Sequence, residues 1–212
     1  MSKFELVTEL YHDLGAMTQS QAEQLREIVL SEGCRDIIEL GFAQGKTTAY
    51  LAALLEDAGE GSVAAFDMVR AQRRSPNIEE VLGKLGLSHR VTIYYSHRSY
   101  TWELQRLINA KDPPRFDFCY FDGGLTWDSA GFATTLVNLL LRPGGLLLLD
   151  KMNWSIDRSP HFRDNPDQAR RFDEDERAAQ PVRLVWDTLL PAFGYEHLRE
   201  YPALGWGLAR KT

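Results

Sequence analysis

Apolar residues in this chain gather in short runs, and the stretches between those runs repeat with a helical period. The runs at Asp36–Leu40, Ser62–Phe66, Val91–Tyr95, Phe116–Phe121 and Leu146–Leu149 are four to six residues long and rich in Ile, Val, Leu and Phe, the signature of buried strands. Thr47–Ala58, Ile78–Leu85, Thr101–Asn109 and Ser129–Leu141 place apolar side chains on one helical face. Strand and helix in alternation predict a Rossmann-like α/β fold: a mostly parallel sheet with right-handed crossovers and helices on both faces. Ahead of the first strand, Ser20-Gln-Ala-Glu23 reads as a capping box opening a helix. After Arg142-Pro-Gly-Gly145 and the Leu146 strand, residues 153–180 are polar, charged and without periodicity, and are expected to form a lid or substrate loop. A helix over Val182–Leu190 precedes two strands, Tyr195–Tyr201 and Leu204–Arg210, whose tight join predicts an antiparallel pair. The whole chain, 1–212, reads as one domain with an N-terminal helical segment at 1–32 and the insert at 153–180.

The chemistry concentrates where the first strand ends. Glu39-Leu-Gly41-Phe-Ala-Gln-Gly45-Lys-Thr47 passes from an apolar run into a Gly-x-x-x-Gly loop and a helix start. There, the absence of a Cβ at Gly41 and Gly45 is expected to let backbone approach a ligand, and free N–H groups to face it. The second strand ends in Asp67, placed where an acid meets the two ribose hydroxyls of a nucleoside. Position 43 is Ala, so the Gly-x-Gly-x-x-Gly fingerprint of a dinucleotide site is missing. Gly45-Lys-Thr47 looks like the tail of a P-loop, and Leu146–Asp150 like its Walker B strand, but only three residues separate Gly41 from Gly45 where four are needed. A P-loop-like NTPase is therefore the alternative carried forward.

The Glu-x-Gly-x-x-x-Gly spacing resembles class I S-adenosylmethionine-dependent methyltransferases, in particular the small-molecule O-methyltransferase-like branch, over most of the chain. The resemblance implies a seven-stranded sheet ending in an antiparallel hairpin, S-adenosylmethionine as cofactor and methyl transfer to a small-molecule hydroxyl. It places the cofactor against Glu39, Gly41, Phe42, Gly45, Thr47, Asp67, Met68, Ser96, His97 and Asp122, and puts Met17 near it. It implies a catalytic neighbourhood at Asp122 and Lys151. Metal-using members bind a divalent ion such as Mg²⁺ through acids matching Asp122 and Asp150 and an Asn or Asp at position 151; a charged Lys151 is no ligand and stands against a metal. Lys151 paired with Asp122 or Asp150 is the structural alternative. Gly124 and Leu125 stand where the family supplies a proton acceptor, which leaves open a cofactor-binding protein without turnover. Related enzymes are often homodimers.

Charge and cysteine content narrow the picture. A net charge of −6 offers no general attraction to a phosphate backbone, so nucleic acid is not expected as a partner. No apolar run approaches a membrane span, and the Met-Ser-Lys-Phe-Glu-Leu start lacks the order of a secretion signal, so the protein is expected in the cytoplasm. Cys34 and Cys119, beside or within buried strands, read as two free thiols.

Overall fold

The computed structural model describes residues 1–212. Seven strands form one sheet: β1 Asp36–Leu40, β2 Ser62–Met68, β3 Val91–Ser96, β4 Phe116–Phe121, β5 Leu141–Leu149, β6 Tyr195–Tyr201 and β7 Trp206–Lys211. Their spatial order is β3-β2-β1-β4-β5-β7-β6. The four pairings among the five strands from β3 to β5 are parallel, and β7 runs antiparallel to both β5 and β6. The order reverses between β1 and β4, so their carboxyl ends open a crevice at the switch point, where ligands of such sheets bind.

Period-two alternation divides the apolar residues between two layers. Ile37, Phe118, Tyr120, Leu146 and Leu148 pack on the face covered by α1 (Lys3–Tyr11), α2 (Gln19–Ser31), α3 (Lys46–Ala58) and α4 (Ile78–Leu85). Ile38, Leu40, Cys119, Phe121, Leu147 and Leu149 face α5 (Thr101–Ile108) and α6 (Trp127–Leu140). Cys34 and Cys119 lie in these opposite layers, both buried and unpaired.

Several boundaries differ from the sequence reading. The cap of α2 is Thr18, whose hydroxyl accepts from the Gln21 N–H while the Gln21 side chain accepts from the Thr18 N–H. Ser20, read as that cap, already lies in the first turn. Both Thr-x-x-Gln and Ser-x-x-Glu satisfy the motif, and extended backbone at Thr18 decides between them. β5 begins at Leu141, with Pro143 to Gly145 carried as an irregularity in its pairing with β4, so the Pro-Gly-Gly segment belongs to the strand. The insert is not featureless: α7 (Pro160–Asp164), α8 (Pro166–Ala169) and α9 (Glu174–Ala178) are single turns in which Phe162 packs on Trp154 and Phe172. The next helix begins at Pro181, as α10 (Pro181–Leu184), and continues through a π-helical turn, Val185–Leu189, into α11 (Leu190–Ala192). No helix is long and apolar enough to cross a membrane.

Candidate active site

Glu39 sits on the β1 face that α3 covers, and is fully buried. Its Oε2 accepts a 2.5 Å hydrogen bond from Thr48 Oγ1, and its Oε1 has no partner. Burial pushes the carboxyl up to about 8, against the Thr48 hydrogen bond, with Asp122 and Asp67 adding to the rise. An orphaned carboxylate oxygen in a protein interior is costly and marks a place for a donor, above all a cationic one. Full burial leaves Glu39 no contact with solvent.

The loop from Gly41 to Gly45 runs over this carboxylate into α3. No side chain caps α3, because its N-cap is Gly45, so Lys46 and Thr47 open the helix with N–H groups that no side chain satisfies. The two glycines are required by the chain's own packing. A Cβ on Gly41 would lie 2.4 Å from the Asp122 carbonyl oxygen, and one on Gly45 2.6 Å from Ile78 Cγ1. Both residues also have φ near +90°, a region that side chains disfavour. Phe42 is buried edge-on against Tyr95, and so brings only backbone to the loop surface.

Asp67, half-buried at the end of β2, ties this loop to the sheet. Its Oδ2 accepts from the Ala43 N–H at 2.7 Å and its Oδ1 from the Met68 N–H at 2.6 Å. Ala43 itself has φ of +52°, so the carboxylate fixes a left-handed turn as well as offering its remaining lone pairs to the crevice. Met68 pairs in register with Ser96 at the next strand end. Ser96 is buried and its hydroxyl has no partner, whereas His97 is exposed. A concavity of about 1160 Å³ lies beside the glycine loop rather than over it. It opens between α5 and α6 and is lined by Ser96 and His97 together with Trp102 and Phe132.

Tyr100 was not singled out from the sequence. Its hydroxyl is buried without a partner beneath the Gly123-Gly124 turn, where a Cβ on Gly124 would come within 2.6 Å of it. No spacing rule marks such a residue, since its partner position is created only by the fold.

Lys46 removes the P-loop reading. It is buried, and its Nζ donates to the carbonyls of His12 and Leu14, which turns the ammonium toward the α1–α2 connection and away from the glycine loop. No lysine is left to reach a phosphate there.

Across the crevice, β4 and β5 end side by side, with Phe121 opposite Leu149, and so place Asp122 next to Asp150. Lys151 Nζ pairs with Asp122 Oδ1, the arrangement anticipated as the structural alternative. Burial, then the Asp150 charge, raises the Asp122 carboxyl to about 7 against the opposing effect of Lys151. Each Asp150 oxygen has a partner: its Oδ2 accepts from Tyr120 Oη at 2.6 Å and its Oδ1 from the Lys151 N–H at 2.5 Å. Tyr120, also absent from the sequence reading, is buried and kept protonated by burial and the Asp150 charge. No group of three or more His, Cys, Asp or Glu side chains is placed to hold a metal ion. With the Lys151 ammonium on Asp122 and no oxygen ligand at position 151, these residues do not fit a divalent metal. Trp206 is in the core against Tyr120, and Met17 is buried with the first helical layer.

The fold and site can be set beside known proteins. No curated protein matches the chain in sequence. Among solved structures, an O-methyltransferase from Bacillus cereus in complex with SAH superposes with a TM-score of 0.70 at 20% identity, covering 99% of this chain and 90% of that one. The O-methyltransferase TomG from Streptomyces achromogenes, involved in tomaymycin synthesis and in complex with SAM, gives 0.68 at 17% identity, covering 100% and 90%. SAH-bound methyltransferase PaMTH1 from Podospora anserina gives 0.67 at 14%, covering 99% and 86%. At these identities the likeness establishes the fold. The methyltransferase domain family matches residues 38–152, more than half the chain and the span from β1 to the Asp150-Lys151 edge, and the chain belongs to that family.

Proposed function

We propose that the protein transfers a methyl group from S-adenosylmethionine to a hydroxyl oxygen of a small molecule. The observation that carries the cofactor half is the orphaned Oε1 of buried Glu39, set beside uncapped N–H groups of α3 and across the loop from Asp67. A methionine tail matches this pairing: its ammonium would meet Glu39 Oε1, and its carboxylate the N–H groups of the first turn at Lys46 and Thr47. Asp67 would accept from the ribose hydroxyls with lone pairs left over from its two backbone bonds, and Met68 would lie along the base. Ser96, and His97 at the rim of the cleft, would face the base edge. When bound, S-adenosylmethionine supplies a methyl group on a positively charged sulfur.

The protein's own contribution is alignment and exclusion of water. Asp122, packed against Gly41, and its partner Lys151 would orient the acceptor oxygen. The insert at 153–180, with Trp154 and Phe162 packed together after β5, is read as the lid over that oxygen. Oxygen as the acceptor atom is supported by the solved neighbours described as O-methyltransferases. A cytoplasmic enzyme that uses neither nucleic acid nor membrane agrees with the net charge of −6.

Thermal-shift measurements with S-adenosylmethionine, S-adenosylhomocysteine, ATP and NAD side by side test the reading. The two sulfur ligands are expected to raise the melting temperature and the two nucleotides to leave it unchanged. A shift with ATP alone would reverse the assignment. Formation of S-adenosylhomocysteine with any hydroxyl acceptor would dispose of a cofactor-binding protein without turnover.

A further inference from the structure

We propose that the ammonium of Lys151 is a built-in cation that binds the acceptor oxygen, and that the acceptor is a single acidic hydroxyl, such as a phenol, rather than a chelating pair of oxygens. The two acids at the ends of β4 and β5 create a strongly negative corner, and the chain offsets one of the two charges with its own side chain. Asp122 is buried and its partner is Lys151; Asp150 accepts from Tyr120 and from the Lys151 N–H. The lysine is held there by its backbone as well as its charge. Lys151 has φ of +59°, a region that non-glycine residues rarely occupy, and the Asp150 bond to its N–H together with the Met152 N–H bond to the Gly205 carbonyl fixes that turn. Strain of this kind persists where the surroundings over-determine it.

An ammonium has three donors, and Asp122 is the sole partner of Nζ, so two remain for the crevice. The side chain is 40% exposed, enough for a ligand to reach it. A divalent metal draws two neighbouring oxygens into its coordination shell, whereas an ammonium is a point charge that favours one oxyanion. The hydroxyl proton leaves to water as the oxyanion docks, so no additional base is required at Gly124 or Leu125. The role given to the oxyanion rests on the methyl-transfer reading, but occupation of the cation position by lysine does not.

Two measurements separate these parts. Mn²⁺ titration followed by the signal of the free ion is expected to show no ion bound by the wild type. Lys151→Asn, which replaces the ammonium by a neutral oxygen ligand, is expected to bind one ion per chain, and the additional change Asp122→Asn to lose it. Mn²⁺ bound by the wild type and lost in Asp122→Asn would overturn the proposal, as would a folded Lys151→Asn that binds none. The second probe is 4-nitrophenol, whose phenolate absorbs visibly, added to the protein with S-adenosylhomocysteine. Wild type and Lys151→Arg are expected to lower its apparent pKa by about one unit, a tenfold change in the ionisation ratio, and Lys151→Met to leave it unshifted. Equal ionisation with wild type and Lys151→Met, circular dichroism confirming both folded, would overturn the acceptor assignment. Loss of S-adenosylhomocysteine binding alone would instead count against the cofactor reading and leave the Mn²⁺ result standing.

Discussion

The carboxyl end of β1 leaves a buried acid oxygen without a partner, whereas the acids at the ends of β4 and β5 are hydrogen-bonded within the protein. At the first edge Glu39 Oε1 and the uncapped start of α3 wait for a ligand. At the second, Asp122, Asp150, Tyr120 and Lys151 close into a network of their own. Leaving buried polar groups unpaired lowers stability, so a fold keeps them where binding restores the loss; a self-contained network instead sets charge and position for whatever arrives. The first edge is thus built to recognise, and the second to present one cation.

The two edges touch at Gly41, and breaking that contact gives the largest expected effect. Gly41→Ala forces a Cβ against the Asp122 carbonyl at a residue with φ of +89°. Overpacking and backbone strain together are expected to cost roughly 2–4 kcal/mol of stability. Urea denaturation measures it; a loss below about 1 kcal/mol would mean that the loop and the β4 end move independently. Next in size, Asp67→Ala is expected to weaken S-adenosylhomocysteine binding by roughly 1.5–3 kcal/mol, the scale of hydrogen bonds to a charged group. Calorimetric titration with unchanged affinity would remove Asp67 from the site.

Protonation sharpens the contrast at a smaller scale. Unliganded Glu39 retains its proton up to about pH 8 in the folded state, although an unfolded glutamic acid loses it well below neutrality. Its contribution to folding stability is therefore fully present in acid and is lost as pH rises toward 8. An arriving ammonium requires the carboxylate, so binding expels the proton. Cofactor affinity is expected to rise with pH and level off near 8, by at most about tenfold per pH unit. Calorimetry in buffers of different ionisation enthalpy should detect the proton, and Glu39→Gln should abolish its release. At the second edge, Tyr120→Phe removes one donor to Asp150 and is expected to cost about 1 kcal/mol of stability while leaving S-adenosylhomocysteine affinity unchanged. A parallel loss of affinity would show that the two edges are coupled.

Much of the sheet was legible because buried parallel strands announce themselves as unbroken apolar runs, and Gly-x-x-x-Gly followed by Asp67 fixed the switch-point edge. The orientation of Lys46 was not legible, since the carbonyls it meets belong to a connection more than thirty residues upstream. The partnership of Glu39 with Thr48 depends on α3 lying over the same face of β1, which period alone cannot assign. Gly41 and Gly45 were correctly marked as special positions, but the bodies that require them, Asp122 and Ile78, are supplied by distant segments. Tyr100 and Tyr120 carry no motif at all, and only tertiary placement gives each its role.

The most direct test is a crystal structure of the complex with S-adenosylhomocysteine. The account predicts both ribose hydroxyls within hydrogen-bond distance of Asp67 and the amino group on Glu39 Oε1. A ligand lodged instead in the cleft between α5 and α6, with Glu39 Oε1 still unpartnered, would contradict it.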